Sequence, residues 1–497
     1  MSKKLPIFYS ALLLTLVNLL LRFVGTSFQV FLSGKIGAEG IGLLQLVLSI
    51  GSMGLVAGMA GIRTASMYLT AEEYGRHSRH NIPWVTSGCI VYSVLCSAAV
   101  GAVIFLFAPM LSSEWIGNAA TANCLRTIAV FLPVNCLTGV MVGSFTGSNR
   151  IGTLAAVEIA EQGCTMVCTV SLLTFWAGHD IERCCQAVIL GSCMGSCLTL
   201  TALVILRLAE KIPCGMTIPV RKRLLNTAVP LALADDLRTG ISTVENLMVP
   251  KRLALFPGSI SPLAAFGTVC GMVFPILMFP CAILFGLTEL LVPELARCNA
   301  AGSKERICHL AQKSLRVAML YGIFCSGILY LCADELCRTL YHSEDAGVYL
   351  RWFSVLAVML YCDAVTDAMI KGLGQQKASV RYNILTNTMD VIGLYLMLPR
   401  LGILGYFISF TVTHVINFGL SIRRLLKITK LSLDIPKIGL ALGSALGAVL
   451  ICRNISSPLP RIASYIAVLS CLLYLLGIVR QDDISWFRGL LYKRKES

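Results

Sequence analysis

The stretch Pro230–Pro250 reads PLALADDLRTGISTVENLMVP and combines a membrane-spanning length with several charged residues. The residues between the two prolines cover about 30 Å of α-helix at 1.5 Å per residue. At spacings of i, i+3, i+7 and i+10, one helical face carries Asp235, Arg238, Ser242 and Glu245. A charged side chain at mid-bilayer costs about 2.5–3.5 kcal/mol, so this face is predicted to point into a helix bundle or a wet cavity.

Two interpretations of this charged face stay open at the level of the sequence. In the first, Asp235, Arg238 and Glu245 form an internal ion-paired clamp that only holds helices together. In the second, they line the pathway of a polar substrate, since ionisable residues inside a membrane are functional by default. Both interpretations require a membrane-spanning bundle.

The composition indicates a polytopic membrane protein. Of 497 residues, 56% are hydrophobic and only 13% are charged, and the mean hydropathy is +0.77. An ordinary soluble domain carries about 25% charged residues. The net charge of +15 would suggest nucleic acid in a soluble protein. Here the basic residues lie in short loops, where the positive-inside rule accounts for them, so no nucleic-acid partner is predicted.

Hydropathy predicts about fourteen transmembrane helices and an all-α integral membrane fold. The N-terminal apolar run lacks a cleavage site and reads as the first span rather than a signal peptide. The predicted spans are 7–31, 41–69, 84–108, 123–145, 152–176, 185–207, 227–250, 263–292, 314–332, 351–371, 379–398, 402–422, 436–452 and 462–479. Most of the 41 Lys and Arg residues fall on the side of the N-terminus, which predicts that both termini are cytoplasmic.

The chain also shows signs of an internal duplication. The predicted spans are numbered as segments 1 to 14 in chain order. Segment 4 ends in GSFTGSNRIG (Gly143–Gly152), and segment 10 ends in KGLGQQKAS (Lys371–Ser379); a polar helix follows each. Repeats of six helices have the same topology, so their axis would lie along the membrane normal. The sequence therefore predicts a six-helix lobe at 1–208, a second at 227–425 and two additional helices at 436–480.

A second arginine, Arg22, lies deep in segment 1. It belongs to a polar helical stripe at spacings of i, i+4, i+7 and i+11, which consists of Asn18, Arg22, Gly25 and Gln29. Guanidinium groups stay charged and bind phosphate bidentately, so paired arginines favour an anionic, phosphorylated substrate. The predicted substrate-binding set is Arg22, Arg238, Asp235, Glu245, Asn18 and Ser242.

Other charged residues have weaker signals. Asp363 and Asp367 are spaced i, i+4 in segment 10, so like-charge repulsion predicts that one is protonated or paired with an arginine. They are the candidates for coupling to a proton, sodium or the membrane potential. Arg63 lies near the end of segment 2 and is interpreted as a snorkelling side chain. For Glu158 and Glu161, spaced i, i+3 in segment 5, a helix-end contact and a cavity role both stay open.

Enzyme signatures are missing from the sequence. There is no Walker lysine motif, HExxH or GxSxG. The 21 cysteines lack metal-ligand spacing. The sequence therefore predicts a transporter without a metal or cofactor. The rivals are a multidrug–cation antiporter, a membrane glycan polymerase or ligase, and a scaffold for cell-wall enzymes.

Several stretches resemble the polysaccharide-transport branch of the multidrug/oligosaccharidyl-lipid/polysaccharide exporter superfamily. Their order along nearly the whole chain is a stronger signal than any single motif. They are Arg22–Gly25, GAEGIGLLQL (Gly37–Leu46), GSFTGSNR (Gly143–Arg150) with Glu161 and Gln162, RTGISTVE (Arg238–Glu245) with Pro250, and ADELCRTLY (Ala333–Tyr341).

The resemblance implies two six-helix lobes around a central cavity, with two extra helices, in a bacterial cytoplasmic membrane. It also implies flipping of a lipid-linked saccharide, such as the peptidoglycan precursor lipid II, for a wall such as the spore cortex. Membrane lipids and cell-wall synthesis proteins would be the other partners. Related lipid II flippases carry an Arg-Asp pair in helix 1 where this chain has Phe28 and Gln29.

Overall fold

The computed structural model describes residues 7–76, 79–178, 180–210, 220–258, 261–431 and 434–478. Within these residues the chain forms helices and no β-strand. The helices are α1 (Ile7–Met59), α2 (Ile62–Gly75), α3 (Ile82–Met110), α4 (Ala122–Gly147), α5 (Ile151–Leu172), α6 (Ile181–Ala209), α7 (Val220–Leu253), α8 (Pro262–Thr268), α9 (Phe274–Met278), α10 (Cys281–Ala300), α11 (Lys304–Leu331), α12 (Ala333–Tyr341), α13 (Glu344–Ser354), α14 (Ala357–Gly372), α15 (Gln376–Leu401), α16 (Ile403–Thr429), α17 (Ile435–Cys452) and α18 (Pro458–Leu475).

Each predicted span overlaps at least one of these helices. By length and hydropathy alone, the described residues contain nine helices that could cross a membrane, or eleven if two bent pairs are counted. The number is below fourteen for two reasons. The first two predicted spans run together as Leu19–Tyr74. In addition, α7 and α15 carry charged and polar residues that lower their hydropathy.

The chain divides into two compact units. Unit 1 comprises Met1–Pro275 and Val380–Thr413, and unit 2 comprises Ile276–Ser379 and His414–Ser497. This division follows spatial proximity and not the predicted sequence repeat. The predicted domain boundaries at 208, 227, 425 and 436 therefore stay a prediction.

In unit 1, α2 and α4 pack backbone against backbone at the GSFTG motif. A Cβ added at Gly143 would lie 2.2 Å from the carbonyl oxygen of Arg63, and one at Gly147 would lie 2.5 Å from that of Met67. The Ser66 hydroxyl donates to the carbonyl of Val140 at 2.9 Å across the same contact. The motif therefore fixes the position of α2, including Arg63.

Gly143→Ala is expected to lower the thermal stability of the purified protein. The added methyl would overlap the backbone of α2, and such overpacking costs about 1–3 kcal/mol. Gly163→Ala in α5 is the control, because no atom lies within 4 Å of its added Cβ. Thermal unfolding in detergent measures both variants. Equal midpoints for the two would show that the close α2–α4 contact does not stabilise the fold.

An ion-pair network joins the end of α2 to the start of α7, also in unit 1. The Arg223 guanidinium contacts Glu72 at 2.7 Å and Glu73 at 2.9 Å. The Asn81 amide donates to the other oxygen of Glu73 at 2.9 Å. The Glu73 side chain is only 2% exposed. Its buried charge is thus neutralised by one guanidinium and further stabilised by a hydrogen bond.

In unit 2, two tyrosine hydroxyls donate to backbone carbonyls at the proline-rich break between α9 and α10. The Tyr361 hydroxyl donates to the carbonyl of Leu277 at 2.6 Å. The Tyr321 hydroxyl donates to that of Pro280 at 2.8 Å. Proline removes a backbone donor, and neighbouring side chains must then satisfy the backbone groups inside a membrane. Helices α11 and α14 thus hold the break through these two hydrogen bonds.

Candidate functional site

A helix break near the middle of the second predicted span brings a charged side chain to α7. Ala60 and Gly61 have φ values of 42° and 73°, and α2 restarts at Ile62. A Cβ at Gly61 would lie 2.4 Å from the carbonyl oxygen of Ala228, so the break packs directly against the α7 backbone. Arg63 is therefore in the first turn of a helix, where backbone N–H groups lack intrahelical partners.

Beside this break lies a cavity of about 430 Å³ within unit 1. Helices α1, α2, α7 and α15 and the break itself contribute its lining. The lining residues are Val56, Met59, Gly61, Arg63, Thr64, Asp235, Arg238, Thr239, Ser242 and Asn387. Two guanidinium groups and the first turn of α2 thus face one polar cavity, which favours a negatively charged ligand.

The two arginines of the cavity are exposed side chains. In the part of the chain that the structure describes, neither Arg63 nor Arg238 forms an ion pair with a carboxylate within 4.0 Å. Arg63 is within electrostatic range of Glu158 on α5. Arg238 and Asp235 line the same cavity without pairing. Among the described residues, the ion-paired clamp of the first interpretation is therefore absent.

The structure brings together only part of the predicted binding set. Asp235, Arg238 and Ser242 line the cavity. Arg22 is exposed on α1 and is not among the described residues that line it. The side chain of Asn18 lies outside the described residues. The binding roles of all these residues stay predictions.

Glu245 lies outside this lining, in a second polar cluster of unit 1. It is within electrostatic range of Asp390 on α15. Asp390 is 5% exposed and accepts a 2.6 Å hydrogen bond from the Ser409 hydroxyl. The cluster also includes Tyr406, within electrostatic range of both carboxylates. Glu245 therefore faces a region different from that of Arg238.

Arg63 and Asn387 are cavity residues that the sequence did not assign to the site. Arg63 was predicted to snorkel, and Asn387 lies on the polar helix that follows segment 10 in the predicted repeat. The sequence feature that could have placed Arg63 in the site is the pair Gly58 and Gly61 just before it. Closely spaced glycines in a helix indicate a break or a close backbone approach.

The two candidate ion-coupling aspartates in unit 2 have different partners. Asp367 pairs with Lys371 at 2.5 Å and accepts a hydrogen bond from the Ser379 hydroxyl. One oxygen of Asp363 accepts from the Asn417 amide at 3.0 Å. The other is buried and has no hydrogen-bond partner among the described residues. Asp367 is thus paired with a lysine and not with the predicted arginine, and the role of both aspartates in ion coupling stays a prediction.

Comparisons with known proteins find a matching family model, similar chains and similar folds. The family model described as MatE matches residues 237–396, which include Arg238, Ser242 and Asn387. The chain is 22% identical to stage V sporulation protein B of Bacillus subtilis (strain 168), over 95% of this chain and 96% of that protein. Sporulation protein YkvU of the same organism is 20% identical over 61% of this chain and 70% of its own.

Solved structures show the fold. The lipid II flippase MurJ in an inward closed conformation has a TM-score of 0.70 and 12% identity, covering 94% of this chain and 100% of that one. An inward-facing multidrug resistance MATE family transporter has a TM-score of 0.66 and 15% identity, covering 84% and 100%. The predicted fold class, an all-α integral membrane fold, is confirmed: the described residues form helices without a strand and contain nine to eleven apolar candidate spans.

Proposed function

We propose that this chain, a membrane transporter of the multidrug/oligosaccharidyl-lipid/polysaccharide exporter superfamily, flips a lipid-linked saccharide across the cytoplasmic membrane by alternating access. One observation carries the proposal. Arg63 and Arg238 face a single polar cavity, and among the described residues neither forms an ion pair with a carboxylate within 4.0 Å. Two such guanidinium groups inside a membrane protein cost free energy unless an anion pairs with them.

A diphosphate fits the chemistry of this pair. Arginine binds phosphate oxygens through two parallel N–H···O bonds, and two arginines can each hold one phosphate. The cavity volume of about 430 Å³ lies in the range of about 300–1,000 Å³ typical of small-molecule sites. It would take the diphosphate and the adjoining sugar, while the lipid tail stays in the bilayer.

The remaining polar groups have supporting roles in this proposal. Ser242, Thr239 and Asn387 would donate or accept hydrogen bonds with the sugar. Asp235 would orient Arg238 before substrate arrives. Arg22, with Asn18, would contact the substrate at another stage of the transport cycle.

Ion coupling would use other carboxylates. Asp363 would bind the coupling proton or cation through its unpartnered oxygen, and Asp367 would hold Lys371 beside it. Glu245 would take part through the Asp390 cluster. The membrane potential is the other candidate driving force.

The names of the relatives support one substrate class. One relative is a stage V sporulation protein and one structural neighbour is a lipid II flippase. A lipid II-like peptidoglycan precursor, used for the spore cortex, is the substrate we propose. The termini would be cytoplasmic, and cell-wall synthesis proteins would use the flipped product.

Reconstitution with defined lipids tests this function. Vesicles containing the purified protein and a fluorescent lipid-linked saccharide should show time-dependent access of an external quencher or enzyme to the inner pool. A sugar joined to the lipid through a diphosphate should be moved faster than a neutral sugar joined to the same lipid without the diphosphate. Cation-driven dye efflux without saccharide flipping would instead favour a multidrug antiporter.

A further inference from the structure

Unit 2 contains a second cavity, of about 660 Å³, that the proposed transport site does not use. It lies between α11, α14, α16 and α17. Apolar side chains provide most of its lining, including Leu315, Met319, Val358, Met359, Phe418 and Leu442. Its chemistry therefore differs from that of the arginine cavity.

The cavity exists because α17 packs tightly on α11 along only part of its length. Ala441, Ala448 and Cys452 are buried in a core with Ile323 and Tyr465, and the Tyr465 hydroxyl donates to the carbonyl of Ile323 at 3.0 Å. At the opposite end of α17, the first turns line the cavity instead. Helix α17 thus joins the core with α11 toward its C-terminal end, and its first turns border the cavity.

The cavity opens onto an apolar surface. Two of its lining residues, Val355 and Leu442, are 59% and 45% exposed. Protein interiors are close-packed, and an unfilled space of this size would leave its lining without dispersion contacts. Beside a bilayer, a hydrocarbon chain is the available filler.

Charged groups gather at one end of the cavity. Arg316 donates to the carbonyl of Ile478, and Lys437 pairs with Asp434. The hydrogen bond from Lys437 lowers the pKa of Asp434, so this carboxyl group is ionised at neutral pH. The end of α16 nearby in sequence adds Arg423, Arg424, Lys427 and Lys430. Basic pockets between transmembrane helices bind anionic lipid headgroups.

We infer that this cavity binds an anionic phospholipid, with an acyl chain among the apolar residues and the phosphate at Arg316 and Lys437. The volume lies within the range of about 300–1,000 Å³ for a single small ligand, which suits one acyl chain better than the long prenyl chain of a carrier lipid. The bound lipid fills the gap and fastens α17 to α11 and α14.

Lipid retention tests this inference. The protein is incubated in vesicles of phosphatidylglycerol and phosphatidylethanolamine, extracted, and its bound lipids are counted by native mass spectrometry. The wild type should retain about one phosphatidylglycerol. Leu442→Trp, which fills the mouth of the cavity, should reduce retention at least fivefold. Leu446→Trp is the control, one turn further on α17, 63% exposed and not among the described lining residues.

A second variant separates headgroup recognition from chain binding. Lys437→Gln should retain lipid but lose the preference for phosphatidylglycerol, whereas Lys427→Gln, at an exposed position not among the described lining residues, should keep it.

Thermal unfolding checks that each variant is folded, and removal of lipid should lower the wild-type unfolding midpoint but not that of Leu442→Trp. Should Leu442→Trp misfold, Val355→Trp fills the mouth from the opposite side.

Two outcomes would overturn the inference. The first is equal retention by Leu442→Trp and Leu446→Trp. The second comes from vesicles that also contain a polyprenyl diphosphate. If Leu442→Trp loses the prenyl lipid and keeps phosphatidylglycerol unchanged, the cavity binds the carrier lipid.

Discussion

Arg63→Ala and Arg238→Ala are each expected to lower the initial rate of saccharide-lipid flipping by about tenfold or more. A hydrogen bond to a charged group contributes about 1.5–3 kcal/mol, and 1.4 kcal/mol corresponds to a factor of ten. Membrane abundance should not fall, because removing a charge from a span relieves an insertion cost. The measurement is the flipping rate in vesicles, normalised to the protein present.

The geometry of the arginines predicts how other variants behave. Arg→Lys at either position keeps the charge but loses the planar fork, so activity should be intermediate. The double alanine variant should be little worse than either single variant if both side chains hold the same diphosphate, since coupled sites are not additive. Arg126→Ala is the control, because this exposed guanidinium lies over the Phe105 ring, 5.8 Å from its centroid, and is not among the cavity's described lining.

Wild-type flipping by both alanine variants, at normal abundance, would remove Arg63 and Arg238 from the site. If only Arg63→Ala retained activity, the original interpretation of Arg63 as a snorkelling residue would stand. In that case Arg22 would be the next candidate for the second phosphate contact.

Arg223→Ala is expected to destabilise the protein by about 3–5 kcal/mol, because it leaves a buried charge without its partner. The Glu73 side chain is 2% exposed and contacts Arg223 at 2.9 Å. The Asn81 amide alone does not neutralise it. Thermal unfolding in detergent should show a much lower midpoint.

Two further variants show whether the burial of Glu73 is the cause. Glu73→Gln combined with Arg223→Ala should recover a large part of the loss, since no unpaired carboxylate remains. Arg306→Ala is the matched control: it breaks a 2.6 Å pair with Glu294 whose side chains are 66% and 30% exposed. Exposed pairs contribute about 0–1 kcal/mol. Similar small shifts for Arg223→Ala and Arg306→Ala would contradict this account of the network.

The sequence predicts those parts of the site that depend on one helix. Asp235, Arg238 and Ser242 share a face because of the helical period alone, and they line one cavity in the structure. Glu245 is on the same predicted face, but seven residues after Arg238 place it about 10 Å further along the axis. There the neighbouring carboxylate of Asp390, on a different helix, defines its surroundings.

Features that depend on contacts between two distant chain segments could not be predicted from the sequence. The position of Arg63 depends on the break at Ala60 and Gly61, and that break fits only because the backbone of Ala228 packs against it. The spacing of Asp363 and Asp367 indicates repulsion, but only tertiary contacts assign Asn417 to one and Ser379 to the other. Likewise, hydropathy predicts α17 without showing that its first turns border a cavity.

The most direct test of the proposed site is flipping by a variant in which the charges of α7 are removed together: Asp235→Asn, Arg238→Gln and Glu245→Gln. The variant has no unpaired charge at these positions, so a clamp that only held helices together would be replaced without loss. If Arg238 binds the diphosphate, the triple variant should insert normally and flip a lipid-linked saccharide at least about tenfold more slowly than the wild type. A wild-type flipping rate in this variant would contradict the account and show that substrate binds elsewhere.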